Sequence, residues 1–325
     1  MSRAPFDPRS TDGPTVVIVN PRASRLRDPK RRERILADVE GWVREATGAA
    51  PLVIRVGDRS SIDAAGDRAA TTGAGLVVAI GGDGTVAALA SDLAGTGIPL
   101  GIVPGGTGNV LANAVGIPDR PDRAIDALRG AERRSIDLGT ATLAGGPGEP
   151  VTERLFAVAA GVGWDARVMA ATAGAEKHRF GKLAYWVAAF GLLGELVPSP
   201  YVIDVDGQRF EVEATVALVA NAGELIPGRV RPRLPIEPDD GLLDLLVLRV
   251  ASLAGGVRGA LELLDRTELG GSPSGQAFRL RGRRIRVVAE PDQPRQVDGD
   301  GSGSGPLEVA VRPGALDLLV PPVDP

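Results

Sequence analysis

Two short stretches of this 325-residue chain hold the residue types that grip charged groups: Gly81–Thr85 (GGDGT) and Pro104–Asn109 (PGGTGN). Glycine has no Cβ, so the backbone there can approach an anion closely. Where such a loop opens a helix, unpaired N–H groups point at that anion. The chemistry this fits is phosphate binding. Thr85, Thr107 and Asn109 add side-chain donors, and Asp83 can hold Mg2+ directly or through water. Neither loop carries the lysine of GxxxxGK[ST], and neither matches GxGxxG with an acidic residue about 20 positions on. Glycines that only turn tight corners are the plain alternative, and it is harder to maintain for two loops than for one.

Three further carboxylate groups stand out: Asp165 behind Gly161–Trp164, the pair Asp239-Asp240, and Asp298-Gly299-Asp300. Each has an ordinary reading as well. Asp165 can cap a helix, Asp239-Asp240 can be a solvated acidic turn, and Asp-Gly is a hairpin-turn signal. A calcium loop starting at Asp298 fails, because its twelfth residue is Val309 instead of glutamate. His178 sits in the charged run Glu176–Arg179 and reads as a surface residue.

Composition removes several classes of chemistry. With no cysteine there are no disulfides, no Cys-ligated zinc and no thiol nucleophile. A single histidine excludes His-rich metal sites and argues against a Ser-His-Asp triad. The net charge of −4 gives no support for nucleic-acid binding. Met1–Gly13 is polar, without an apolar signal core. The longest apolar run, Leu183–Pro198, is interrupted by Gly191, Gly194 and Glu195 and falls short of the ~18–20 residues of a spanning helix. A cytoplasmic protein is expected.

The elements that must position the loops follow from hydrophobic pattern. Short apolar runs at Thr15–Asn20, Leu52–Val56, Leu76–Ile80 and Leu100–Val103 read as buried strands. Helical patterns lie between them: Ile35 to Val43, Ile62–Ala70, Val86–Leu93, and from Asn109 through Val115. Strands alternating with helices imply a doubly wound, mainly parallel sheet, and each glycine loop then falls between a strand end and a helix start. After Asp137 the pattern changes. Tyr201, Ile203 and Val205, then Phe210, Val212, Ala214, Val216 and Leu218, alternate around Asp206-Gly207 as a hairpin with one buried face. Further strands are expected at Leu242–Arg249, Arg284–Ala289, Leu307–Val311 and Leu316–Val320, and a helix near Lys182. Gly301–Gly305 (GSGSG) reads as a flexible loop. The expected domains are an α/β unit over 13–137, a β-rich antiparallel unit over 138–312, and a final segment, 313–325.

In order along the chain, GGDGT and PGGTGN resemble the nucleotide-binding core of the diacylglycerol kinase catalytic family, which includes sphingosine and ceramide kinases and bacterial soluble lipid kinases. Asn20-Pro21, Phe156 with Gly161–Asp165 (GVGWD), Gly181–Tyr185, Asn221–Gly223, Pro238–Asp244 (PDDGLLD) and Asp298–Asp300 have counterparts there too. GGDGT alone is shared with NAD kinases, which are similar in fold; the PGGTGN loop and the DDGLLD segment favour the lipid kinases.

The resemblance implies a NAD kinase/diacylglycerol kinase-like two-domain architecture, with the last strand returning to the N-terminal domain and the active site in the cleft between domains. It implies ATP and Mg2+, with Asn20, Gly81, Gly82, Gly84, Thr85, Gly106, Thr107 and Asn109 on the nucleotide and Asp83 organising the metal and the reaction centre. Asp300 stands where the family places its acidic general base, one methylene shorter than the usual glutamate. Asp240 would hold a structural Mg2+, and Asp165 would meet the acceptor. Ser24 replaces the more usual glycine of the family's first loop. The implied partner is a diacylglycerol-like lipid at a membrane surface. The basic runs Arg25–Arg34 and Arg279–Arg286 offer transient peripheral contact with anionic headgroups, including those of the inner membrane face. A soluble acceptor such as NAD, a nucleotide sensor without turnover, and a homodimer all stay open.

Overall fold

A strand buried on both faces needs an unbroken apolar run, because helices cover both sides of a parallel sheet. The computed structural model, which describes residues 4–144, 150–163, 198–223, 236–249 and 277–322, shows that rule at work. The chain forms two compact units: Met1–Ile136 with Gly314–Pro325, and Asp137–Pro313.

In the first unit a short strand β1 (Ala4–Pro5) precedes β2 (Thr15–Val19), whose five residues are all buried. Helix α1 (Pro29–Thr47) follows. Asp28 caps it by accepting the Lys30 N–H at 3.1 Å, and Gly48 ends it in the left-handed region at φ 74°. Its Ile35, Leu36, Val39, Trp42 and Val43 form the buried face. Then come β3 (Leu52–Arg55), α2 (Arg59–Thr71), β4 (Leu76–Gly81), α3 (Asp83–Asp92), β5 (Leu100–Pro104), α4 (Val110–Ala114) and α5 (Pro121–Leu128). The sheet order β5-β4-β2-β3 is parallel throughout. The alternation read from the sequence is therefore the observed α/β layer.

Asp92, the last residue of α3, points its carboxylate at Gly66 of α2, where a Cβ would lie 2.2 Å from Oδ2. That oxygen is buried without a hydrogen-bond partner. Burial first, and Asp63 next, push the Asp92 pKa up to about 7. A carboxyl that prefers its proton when folded gives stability that is lost as pH rises from its unfolded value, 3.8, through the folded one. Asp92→Asn should stabilise the protein by about 1–3 kcal/mol near pH 8 and by almost nothing near pH 4. Urea unfolding at the two pH values checks this; a gain independent of pH would contradict it.

Strand β6 (Glu132–Leu143) leads into the second unit. It went unread in the sequence because Glu132, Arg133, Arg134 and Asp137 interrupt its apolar pattern. There follow β7 (Thr152–Phe156), β8 (Ala159–Gly163), β9 (Ser199–Val205), β10 (Gln208–Ala214), β11 (Val216–Ala220), β12 (Leu243–Leu248), β13 (Ala277–Gly282), β14 (Arg284–Ala289), β15 (Pro294–Val297), β16 (Asp300–Ser304) and β17 (Leu307–Val320). One sheet, of order β13-β12-β11-β8-β15-β16, is antiparallel throughout. Its inner face, with Ala160, Val162, Val219, Leu245 and Phe278, shares a core with Tyr201, Ile203, Ile285, Val287 and Val309 of β9, β14 and β17. The unit is an antiparallel β-sandwich. Phe156 is fully buried against Gly139, directly opposite it across β6 and β7; a Cβ on Gly139 would lie 2.0 Å from the ring.

Three sequence expectations are corrected. The hairpin around Asp206-Gly207 (φ 52° and 87°) ends at Ala214, and β11 belongs to the other sheet, with Ala217 and Val219 buried and Leu218 only half-buried. A sheet switch at Thr215 keeps the alternation in sequence but changes the face it serves. The GSGSG tract is strand β16, paired with β15 through Val297↔Asp300, Gln296↔Gly301 and Pro294↔Ser304. Backbone pairing needs no side chains, so composition conceals it. The two apolar runs at the C-terminus are one strand, β17, with Gly314 inside it at φ 58°. Its first half pairs with β14 in the second unit; its second half pairs parallel with β5 in the first, at Leu318↔Leu100. The expected helix near Lys182, His178, Gly181–Tyr185 and Asp165 lie outside the described residues. Among the described residues, no helix is long and apolar enough to cross a membrane.

Candidate functional site

Three loops leave the C-terminal ends of adjacent parallel strands: Asn20 after β2, Gly82 after β4 and Gly105 after β5, with Val19 opposite Ile80 and Gly81 opposite Pro104. In an open parallel sheet this is where ligands bind. The loops are tied to each other. Asn20 Nδ2 donates to Thr85 Oγ1 at 2.9 Å, and the Gly105 N–H donates to the Gly81 carbonyl at 2.7 Å. Ser24 and Thr107 share a hydroxyl hydrogen bond of 2.8 Å, and the Arg25 N–H donates to the Gly105 carbonyl at 2.9 Å.

Asp83 is the strongest tie. Its Oδ2 accepts the Asn109 N–H at 2.8 Å and its Oδ1 accepts the Val110 N–H at 2.5 Å. A carboxylate in the first loop thereby caps the helix that the second loop opens. Asn109 sits in the left-handed region at φ 52° and is almost fully buried. Its side chain closes the second loop by accepting the Gly106 N–H and donating to the Gly106 carbonyl, both at 3.1 Å. It also donates to Asp119 Oδ1 at 2.6 Å, and Asp119 is ion-paired with Arg25 at 2.5 Å. Asp119 escaped the sequence reading, since a lone aspartate in Ile117–Pro121 signals only a turn.

The glycines have distinct reasons. Gly82 and Gly106 pack backbone on backbone: a Cβ on Gly106 would lie 2.6 Å from Gly82 Cα. At Gly108 a Cβ would lie 2.3 Å from Asp83 Oδ2. Gly84 differs, because an added Cβ there meets nothing within 4 Å. It lies in the first turn of α3, where glycine costs up to about 1 kcal/mol relative to alanine. Packing does not require that glycine, whereas a ligand lying against the backbone would. Gly84→Ala should leave the melting temperature unchanged or raised while nucleotide affinity falls about tenfold, near 1.4 kcal/mol. Differential scanning fluorimetry and titration calorimetry separate the two effects, and unaltered affinity would exclude Gly84 from the contact surface.

In the second unit, Asp298 and Gly299 form the turn between β15 and β16, at φ 48° and 83°. Asp298 is half-buried, and its carboxylate accepts the N–H groups of Ala157, Val158 and Ala159 at 2.8, 2.9 and 3.0 Å. Burial raises its pKa, opposed by those three bonds. Asp300 is two residues on, its side chain 63% exposed and 3.4 Å from Arg154. Both the turn reading and an accessible carboxylate are therefore realised, on different residues. Arg154 was not singled out from the sequence; one arginine on a strand carries no signal there.

Asp240 is ion-paired with Arg281 and also accepts the Leu242 N–H at 3.0 Å. Arg281 Nε lies 3.3 Å from Asp244, a fully buried residue that Arg279 also engages. Burial pushes the Asp244 carboxyl up, against the hydrogen bond and charge of Arg279. Asp137 Oδ2 accepts the Gly241 N–H at 2.7 Å, and buried Asn221 donates to the Asp137 and Ala157 carbonyls at 2.8 and 3.0 Å. Among the described residues no three His, Cys, Asp or Glu side chains gather as metal ligands do. At Asp240 an arginine already balances the charge that a metal would need. Asp83 suits Mg2+ better: each of its oxygens accepts one hydrogen bond, and Mg2+ in such sites is held chiefly by phosphates and waters, with one or two carboxylates.

Sequence and structure comparisons bear on this geometry. A sequence model of the diacylglycerol kinase catalytic domain matches residues 14–141. One of the YegS C-terminal NAD kinase beta sandwich-like domain matches residues 157–320. An uncharacterised Synechocystis sp. protein (strain ATCC 27184 / PCC 6803 / Kazusa) is 29% identical over 164 residues, which is 50% of this chain and 38% of that protein. A Staphylococcus aureus (strain JH9) protein, provisionally described as a lipid kinase, is 26% identical over 144 residues, 44% of this chain and 46% of its own. The chain thus spans less than half the length of these curated relatives. Two solved structures from Bacillus anthracis str. Sterne share the fold. One, provisionally described as a diacylglycerol kinase, has a TM-score of 0.74 at 22% identity and covers 96% of this chain and 98% of its own. The other, described as a diacylglycerol kinase, has a TM-score of 0.69 at 20% identity, covering 95% and 97%.

Proposed function

The chain belongs to the diacylglycerol kinase catalytic-domain family, with a YegS-type C-terminal half, and from that premise we propose that it is an ATP- and Mg2+-dependent kinase phosphorylating a hydroxyl of a diacylglycerol-like lipid. The observation that carries this reading is the Asp83 bridge, which locks GGDGT and PGGTGN into one surface at the strand ends. A lone glycine turn has no need of such a lock.

In this reading the nucleotide phosphates lie against the glycine backbone of Gly81, Gly82 and Gly84 and meet the hydroxyls of Thr85 and Thr107, while Gly106 and Asn109, whose N–H groups are taken by Asn109 Oδ1 and Asp83 Oδ2, give the second loop its shape. Asn20 holds Thr85 in place. Mg2+ bound near Asp83 supplies charge neutralisation on the phosphates. The acceptor oxygen bonds to the γ-phosphorus as the bond to the β–γ bridging oxygen breaks, and ADP leaves with that electron pair. Asp300 takes the hydroxyl proton. Asp165 is assigned to the acceptor on family position alone; Asp240, whose family position implies a structural Mg2+, is paired with Arg281 instead and is given no metal in this reading. An enzyme for a bilayer-resident substrate works at the membrane surface, and the basic segment Arg25–Arg34 is the peripheral contact in this reading, on the cytoplasmic leaflet.

Transfer of labelled phosphate from ATP to a panel of lipids in mixed micelles, with NAD as the soluble control, tests this function. Labelled lipid phosphate is the expected product. Labelling of NAD in place of lipid would make it a NAD kinase-type enzyme. Nucleotide binding without transfer to any acceptor would establish the sensor reading, which draws on Asp300 standing where relatives use glutamate.

A further inference from the structure

Asp300 opens β16, which is the last strand of its sheet among the described residues and continues as Gly301, Ser302, Gly303 and Ser304. A strand so poor in side chains has little packing to hold its backbone, and glycine is the most permissive residue available. A short carboxylate on such a strand needs an outside brace to keep one orientation. Arg154 of β7 supplies it. One guanidinium nitrogen donates to Ser302 Oγ at 2.9 Å and the other lies 3.4 Å from Asp300 Oδ2. Ser302 Oγ in turn donates to the Asp300 carbonyl at 3.2 Å. The arginine fork thus holds the strand and its carboxylate together. Its own side chain is 31% exposed, half the exposure of the Asp300 side chain. Below it, Asp298 pins the preceding turn.

We propose that Arg154 is the positioning residue for Asp300, setting the direction in which that carboxylate faces the acceptor hydroxyl. The assignment rests on Asp300 acting as the base in the function proposed above. A planar fork contacting two groups does what an ammonium point charge cannot do in one geometry. Arg154→Met is therefore damaging and Arg154→Lys intermediate.

The test is a double-mutant cycle on lipid phosphorylation, run beside hydrogen exchange of the same proteins. Arg154→Met is expected to lower kcat about tenfold with the KM for ATP unchanged, and to lower it less than about twofold in an Asp300→Asn background. Amide exchange should quicken across Asp300–Ser304 and stay as in the wild type in β11 and β12. Wild-type kcat in Arg154→Met, or the same tenfold loss with and without Asp300, overturns the proposal while leaving Asp300 as base. Wild-type activity in Asp300→Asn removes the base and the proposal with it. Should no lipid be phosphorylated, exchange decides alone: unaltered protection of Asp300–Ser304 in both Arg154 variants rules out a brace.

Discussion

Replacing Asp298 by alanine is expected to cost about 3–5 kcal/mol, because it leaves three backbone N–H groups without their charged acceptor in a half-buried turn. The carboxylate is a hub. It joins the β15–β16 turn to the start of β8, two segments 139 to 141 residues apart in sequence. Its left-handed backbone adds a second constraint, since alanine tolerates φ 48° less well than aspartate does. Asp298→Asn should be milder: its amide oxygen keeps one or two of the bonds, while its NH2 faces an N–H. Urea unfolding of both variants checks the order. An alanine variant within about 0.5 kcal/mol of the wild type, the range of an ordinary surface change, would mean that water replaces the carboxylate without cost. The experiment also separates two roles inside one Asp-Gly-Asp segment. Asp298 variants should lose stability, and Asp300 variants should lose turnover without losing it.

Asp83→Asn is the second large effect. Two backbone N–H groups in the second loop depend on its carboxylate, and hydrogen bonds to a charged group are each worth roughly 1.5–3 kcal/mol. An asparagine can keep one; its NH2 then opposes the other donor. Since 1.4 kcal/mol is tenfold in affinity, nucleotide binding should weaken by about one hundredfold, and lipid phosphorylation by at least as much. Equilibrium nucleotide titration beside the transfer assay measures both. If affinity holds and only turnover falls, Asp83 serves the reaction centre without organising the loops. If neither changes, the bridge is incidental and the candidate site is misplaced.

The first unit was largely legible in the sequence. Thr15–Val19, Leu76–Gly81 and Leu100–Pro104 are buried on both faces, so their apolar runs had no reason to break. Both glycine loops then fall at strand ends by simple order along the chain. The second unit was less legible. The Asp206-Gly207 hairpin showed itself because its turn demands positive φ at two residues and its strands alternate. Strand β6 hid behind charges whose partners lie elsewhere, among them Asp317, which accepts hydrogen bonds from both Arg133 and Ser135. Strand β16 hid because glycine and serine leave no pattern to read.

That two glycine loops follow adjacent strands of one α/β layer, the sequence alone determined, because backbone access and strand burial are local requirements written in residue type and spacing. What only the tertiary structure decided is how those residues are divided between tasks. Asp83, read as a metal organiser, also ties one loop to the next; Asn109, read as a ligand donor, spends its side chain closing its own loop; Asp298 takes the turn and leaves Asp300 exposed. Each of these assignments depends on hydrogen bonds between residues that the chain keeps far apart. No local pattern records such partners, so folding had to bring them together before their roles could be told apart.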